Sequence, residues 1–314
     1  MQHKFASAIW GAVFYLCVGG ATDALGQADD LNACQDQGNP DNAIQGCGRI
    51  IDSKYANNAL RYGALVNRCL AYMNEGRDAD AVRDCTAAIK LNPGGGEAFF
   101  NRGLTYTKMR DIDRALPDFD MTITLMPEFS QGYFNRGVAY DLKKDYVHAI
   151  QDYDNAIRLM PADGEAIANR GADLTILGDL ERGIADSSLA ISLNPENGVA
   201  YQNRCHARAL RGDGIAAIPD CDRSVELNHD SRSALDGRGY AYLRAGDTAR
   251  AIGDFTEVLE SNPNAEESLF MRAVAYAALG KRELAKAGFA NARMLNSGID
   301  AEMAMVHIVA PAGL

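Results

Sequence analysis

Cys69 and Cys85 stand at the same separation as Cys205 and Cys221, and Cys34 and Cys47 make a slightly closer third couple. Two thiols held side by side in an oxidising compartment join as a disulfide, and closing a loop of about 15 residues is worth roughly 3 kcal/mol on the chain-entropy argument. The alternative is three pairs of reduced buried thiols, the expectation for a cytosolic protein. Zinc is not expected, because none of the pairs has the short Cys-x-x-Cys spacing of a structural site. A second constellation is electrostatic. Arg68, Arg102, Arg136, Arg170, Arg204, Arg238 and Arg272 recur at one fixed interval, and Asp84, Asp118, Asp152, Asp186, Asp220 and Asp254 follow the first six at a constant distance, with Gly288 in the seventh place. Either the two rows pair as a structural ladder, or the arginines form a row for an anionic ligand. Carboxylates that keep step with the arginines favour the ladder.

The elements that position these residues follow from the same period. Numbering each unit so that the repeating Arg is position 7, seven equal units begin at 62, 96, 130, 164, 198, 232 and 266 and end at 299 without an insertion. Position 8 is small (Cys69, Gly103, Gly137, Gly171, Cys205, Gly239, Ala273) and position 11 is usually Tyr, which with position 4 makes one apolar face of a first helix. Gly76, Gly178, Gly212, Gly246 and Gly280 stand at position 15, where a helix C-terminus needs a residue tolerant of positive φ. Asp111, Asp145, Asp179, Asp213 and Asp247 follow as N-caps of a second helix. That helix carries a small residue at position 20 and, in most units, an aromatic at 24, as in Ala115 with Phe119; Pro at position 32 stops it. Pro117 and Pro219 lie inside second helices and predict a local kink.

The pattern resembles the tetratricopeptide repeat, a helix-turn-helix unit of about 34 residues, in its exported bacterial type. The resemblance implies an all-α fold, an α-solenoid coiled as a right-handed superhelix. Position 4 departs from the family's frequent Trp, carrying Leu65, Phe99, Tyr133, Ile167, Tyr201, Leu235 and Leu269. Ahead of the array, Ala43 to Cys47 aligns with Ala81 to Cys85 and with Ala217 to Cys221, so residues 28–61 are expected to form a degenerate N-terminal hairpin. The repeat frame then selects one connectivity: Cys34 with Cys47, Cys69 with Cys85, Cys205 with Cys221. Residues 300–314, with Met303, Val306 and Ile308, are expected to cap the last unit; a partner-docking tail is the alternative.

The N-terminus has the form of an export signal. His3 and Lys4 precede an uncharged stretch from Phe5 to Ala21, and Ala24-Leu25-Gly26 supplies a small-x-small cleavage signal, so residues 1–26 are expected to be a signal peptide. An uncleaved anchor is the alternative. Cleavage removes Trp10 and Cys17 and leaves six cysteines. It also places the protein in the periplasm or outside the cell, with no membrane insertion afterwards.

In tetratricopeptide proteins positions 2, 5, 6 and 9 line the concave groove. Position 6 is Asn67, Asn101, Asn135, Asn169 and Asn203 in successive units. Each carboxamide offers a donor and an acceptor, so such a row could hold the backbone of an extended peptide. Phe100 and Phe134 with Leu104 and Val138 would add apolar pockets. The alternative is that the Asn row bonds to neighbouring helices. The Lys and Asn clamp of family members that grip acidic chaperone tails is absent. Toward the C-terminus the groove positions change to Gln202, His206, Asp236, Tyr240 and Arg244.

The net charge of −11 disfavours nucleic acid as a partner. No phosphate loop, His-Glu-x-x-His helix or Gly-x-Ser-x-Gly elbow occurs. The function expected is non-catalytic: a protein-interaction scaffold binding an extended segment of one or more partner proteins, with no catalytic residue, metal or cofactor. A scaffold associating through its ends or convex face is the alternative, and an enzyme acting on cell-envelope glycans a distant third.

Overall fold

The computed structural model describes residues 26–36, 38–228, 231–305 and 308–313. Residues 1–25 of the expected signal peptide, with Lys4, Trp10 and Cys17, lie outside them, as do His229, Val306 and His307. Among the described residues every regular element is a helix, and no helix is long and apolar enough to cross a membrane. The described chain divides into two compact units, one ending at Pro161 and one starting at Ala162.

The first unit contains α1 (Gly26–Cys34), α2 (Pro40–Asp52), α3 (Asn58–Asn74), α4 (Asp78–Leu91), α5 (Gly96–Lys108), α6 (Ile112–Leu125), α7 (Ser130–Leu142) and α8 (Tyr146–Leu159). Each odd-numbered helix pairs with the next, and each pair rests on the following one through α2 with α3, α4 with α5 and α6 with α7. The second unit repeats the scheme with α9 (Gly164–Ile176), α10 (Leu180–Leu193), α11 (Gly198–Arg211), α12 (Gly214–Leu227), α13 (Arg232–Ala245), α14 (Thr248–Ser261), α15 (Glu266–Ala278) and α16 (Arg282–Leu295). It closes with α17 (Ile299–Met305), which packs on α15 and α16. Ile299, Met303 and Ile308 there join the core that holds Phe289 and Ala292, and Arg293 pairs with Asp300 at 2.7 Å.

Local sequence explains the hairpins. Asp111, Asp145, Asp179 and Asp247 accept the backbone N–H three residues on, as N-caps should. Asp213, expected to do the same, makes no such bond; Arg211 holds its carboxylate at 2.8 Å through Nε instead. Gly76, Gly178, Gly212, Gly246 and Gly280 all have positive φ, and Arg110 and Lys144 adopt the same conformation where the period places a non-Gly residue. Pro117 and Pro219 sit inside α6 and α12, which continue through them. The first array helix, α3, starts at Asn58, ahead of the period boundary at 62, because Asn57 caps it by accepting from Leu60 N–H.

The small residue at position 8 is required by contact. A Cβ on Gly103 would meet the Phe119 ring at 2.8 Å, and one on Gly137 would meet the Tyr153 ring at 2.8 Å. Position 8 of the first helix and position 24 of the second are therefore in direct apposition. In two hairpins that apposition is taken by cysteines: Cys69 is bonded to Cys85, and Cys205 to Cys221, with Cα atoms 5.5 and 5.2 Å apart. Cys34 is bonded to Cys47 between α1 and α2.

Candidate functional site

Each unit presents a face made of the first helices of its own hairpins, α3, α5 and α7 in the first unit and α9, α11, α13 and α15 in the second; within each unit neighbouring members touch. The arginine row does not open onto it as a set of free cations. Arg68, Arg102, Arg136, Arg170, Arg204 and Arg238 each pair with the Asp at position 23 of the same hairpin, at 2.6 to 2.8 Å. The remaining guanidinium nitrogen reaches back to the preceding hairpin: Arg102 donates to Thr86 Oγ1 at 3.0 Å, Arg136 to Asp120 Oδ1 at 2.6 Å and Arg204 to Ser188 Oγ at 3.1 Å. One residue thus ties two helices of its own hairpin and the hairpin before. Arg272, facing Gly288 in place of a carboxylate, keeps the backward bond to Thr256 at 3.2 Å. The hydrogen bond to Asp118 holds Arg102 above the ordinary guanidinium value, while burial pushes the carboxyls of Asp118 and Asp152 up against the pull of their arginines.

The asparagine row divides. Asn67, Asn101 and Asn135 are buried, whereas Asn169 and Asn203 keep part of their surface open. Asn203 donates to the Ala168 carbonyl at 3.0 Å, so its carboxamide bonds to the neighbouring first helix. Asn135 turns back on the Gln131 carbonyl at 2.8 Å, and Asn67 Nδ2 lies 4.0 Å from Cys34 Sγ. Asn101 is fully enclosed, and neither of its side-chain polar atoms meets a hydrogen-bonding partner. The expected pocket walls Phe100 and Phe134 are likewise buried. Phe100 stacks edge-on against Phe129 at 4.9 Å and Phe134 lies 5.9 Å from the Tyr153 ring, which makes them core residues. Leu104 and Val138, one turn further along, retain solvent-facing surface.

The equivalent face of the second unit differs in chemistry. Position 5 is Gln202 in α11 and Asp236 in α13, both partly open; position 9 is His206, partly open, and Tyr240, buried. His206 and Tyr240 meet edge-on with ring centroids 6.0 Å apart. Ser268 in α15 donates to Asp236 Oδ1 at 2.7 Å. Burial pushes the Asp236 carboxyl up to about 6, from 3.8. It also depresses His206 and raises Tyr240. Ser268 escaped the sequence reading, because position 3 is unremarkable in the other units and only the packing of α15 on α13 brings it to Asp236. Among the described residues no group of His, Cys, Asp and Glu could hold a metal ion.

Comparison with known proteins gives the following. Residues 130–163 and residues 237–292 match family models described as Tetratricopeptide repeat. No curated protein matches the chain. Among solved structures, a tetratricopeptide repeat protein from Parabacteroides merdae is 19% identical over 80% of this chain and 98% of its own, with a TM-score of 0.59. A chain of the APC/C hetero-tetramer Cut9-Hcn1 is 13% identical over 91% of this chain and 56% of its own, with a TM-score of 0.65. PilF of Pseudomonas aeruginosa is 15% identical over 67% of this chain and 96% of its own, at 0.54. At these identities the likeness is one of fold.

Proposed function

The chain is a tetratricopeptide-repeat protein, hence a protein-interaction scaffold in its general class, and from that premise we propose that it binds an extended segment of a partner protein along the face of its first helices. The observation that carries this reading is the residual surface on that face. Leu104 and Val138 in one unit, and Asn169, Gln202, Asn203 and His206 in the other, stay partly open although every helix they stand on is packed against its neighbours. The buried members of the predicted set, Asn67, Asn101, Asn135, Phe100 and Phe134, support the face from beneath. The work is non-catalytic, since the recurring carboxylates are taken up by the arginine ladder.

The setting we propose is periplasmic or secreted, reached by cleavage of residues 1–26. The three bonded cysteine pairs support an oxidising compartment. Neither nucleic acid nor the membrane is a partner on this reading, given the net charge of −11. The seven-unit division of 62–299 and the flanking segments 28–61 and 300–314 are kept as the working organisation.

Photo-crosslinking in cells tests it. A photoreactive residue in place of Leu104, Val138 or Gln202 is expected to capture a discrete partner, and one in place of Arg83 or Leu189, exposed on second helices, is not. Capture only from Arg83 and Leu189 would favour the scaffold that associates through its convex face.

A further inference from the structure

Asp236 is out of keeping with its place. The same position in the first unit is filled by Val66, Phe100 and Phe134, all buried, and in the last hairpin by Phe270, also buried. A carboxylate taken partly out of water needs donors or a cation in compensation. Asp236 has one donor, Ser268 Oγ on Oδ1, and Oδ2 receives no hydrogen bond from any described residue. The nearby cations are committed or remote. Arg238 is held by Asp254 and Asp222 at 2.8 and 3.3 Å, and Arg232 favours the Asp236 charge without forming an ion pair with it. Glu267 and Asp254 add further negative charge around the group.

The surroundings suit a cation in particular. Gln202 and His206, one helical turn apart on α11, are partly open and carry no hydrogen bond to described protein groups, and His206 stands edge-on to Tyr240, one turn beyond Asp236 on α13. Gln202 and Asp236 hold the same position of two packed first helices, as His206 and Tyr240 do one turn on, and a carboxylate, a carboxamide, an imidazole kept neutral by burial and an aromatic ring on these two turns can satisfy both the charge and the several donors of an ammonium or guanidinium. Arg244, exposed two turns along α13 from Asp236, limits the cationic stretch to one residue.

We propose that Asp236, with Gln202, His206 and Tyr240 around it, seats a single basic side chain, Lys or Arg, of the extended segment that lies on this face. The inference rests on the proposed peptide-binding face and specifies its chemistry in the second unit. The first unit, with Leu104 and Val138 at its surface, reads apolar side chains; the second reads one positive charge.

A peptide array decides it. Short peptides of varied sequence are displayed in pairs, one member carrying Lys and its twin Gln at the same place, and probed with the full mature chain. Wild type is expected to favour the Lys member roughly tenfold at neutral pH. That preference should fade near pH 5, as the Asp236 carboxyl takes up its proton. Asp236→Asn should bind both members alike. Ser268→Ala, which leaves the carboxylate in place, should keep the preference, and circular dichroism on both variants checks that they fold. Peptides bound with no preference for Lys, or a preference that survives in Asp236→Asn, would overturn the Asp236 assignment and leave the binding face standing. Failure of wild type to bind any peptide removes the face, and the assignment with it.

Discussion

The first helices of the two units occupy equivalent places in their hairpins yet spend them differently. In α3, α5 and α7 position 5 is apolar and sealed, so the face is a lid over the core with Leu104 and Val138 emerging at its edge. In α11 and α13 the same position is Gln202 and Asp236, the core beneath is served by Cys205, Cys221 and Phe255, and the face is free to carry polar chemistry. A repeat thus separates two tasks that a single helix face would otherwise combine. Joining of a hairpin at positions 8 and 24 does not by itself set the fate of position 5, since Val66, Phe100 and Phe134 are buried beside a disulfide or a Gly–aromatic contact just as Gln202 and Asp236 are partly open beside one.

That contrast can be broken most directly by truncation. Phe100→Ala should cost about 3–5 kcal/mol in urea unfolding, because it empties a fully enclosed site against Phe119 and Phe129. Gln202→Ala at the matching position should stay within about 0.5 kcal/mol. Equal losses would mean that the two faces are packed alike. A smaller effect comes from Asp236. Its folded-state pKa of about 6 lies above the unfolded 3.8, so its contribution to stability is fully present below the lower value and is lost as pH rises through the higher. Asp236→Asn should therefore stabilise the protein by about 2 kcal/mol at neutral pH and by almost nothing near pH 3.5, as read by unfolding at the two pH values. Stabilisation that persists at low pH would point to a cause other than ionisation. The smallest difference concerns the carboxamides. Asn203→Ala should lose about 1 kcal/mol, since it removes the donor that the Ala168 carbonyl gains from the neighbouring first helix, whereas Asn101→Ala removes a buried group that has no partner and should be close to neutral. The reverse order would show that Asn101 finds a partner in solution.

The repeat made much of this legible beforehand. Seven arginines in phase with six carboxylates pointed to a ladder, and it forms, because side chains at fixed positions of identical hairpins must meet in the same way each time. The backward bond from Arg102, Arg136 and Arg204 to position 25 of the preceding hairpin was not legible. Thr86, Asp120 and Ser188 share no residue type, only a place beside the incoming nitrogen. Asp213 shows the limit of a local rule: a good capping residue in sequence, it is drawn off by Arg211 two residues away.

What the sequence determined by itself is equivalence. An unbroken period says which positions repeat, which cysteines occupy matching places in the first and fifth units, and that position 8 must be small wherever position 24 is large. What only the tertiary structure decided is exposure. Asn101 and Asn203 are the same residue at the same position, yet one is sealed and unpaired while the other is partly open and bonded to the first helix of the preceding hairpin. Phe100 is core and Gln202 is surface on matching turns. Burial is set by the side chains that neighbouring hairpins bring to a position, and a residue's own place in the repeat carries no information about them.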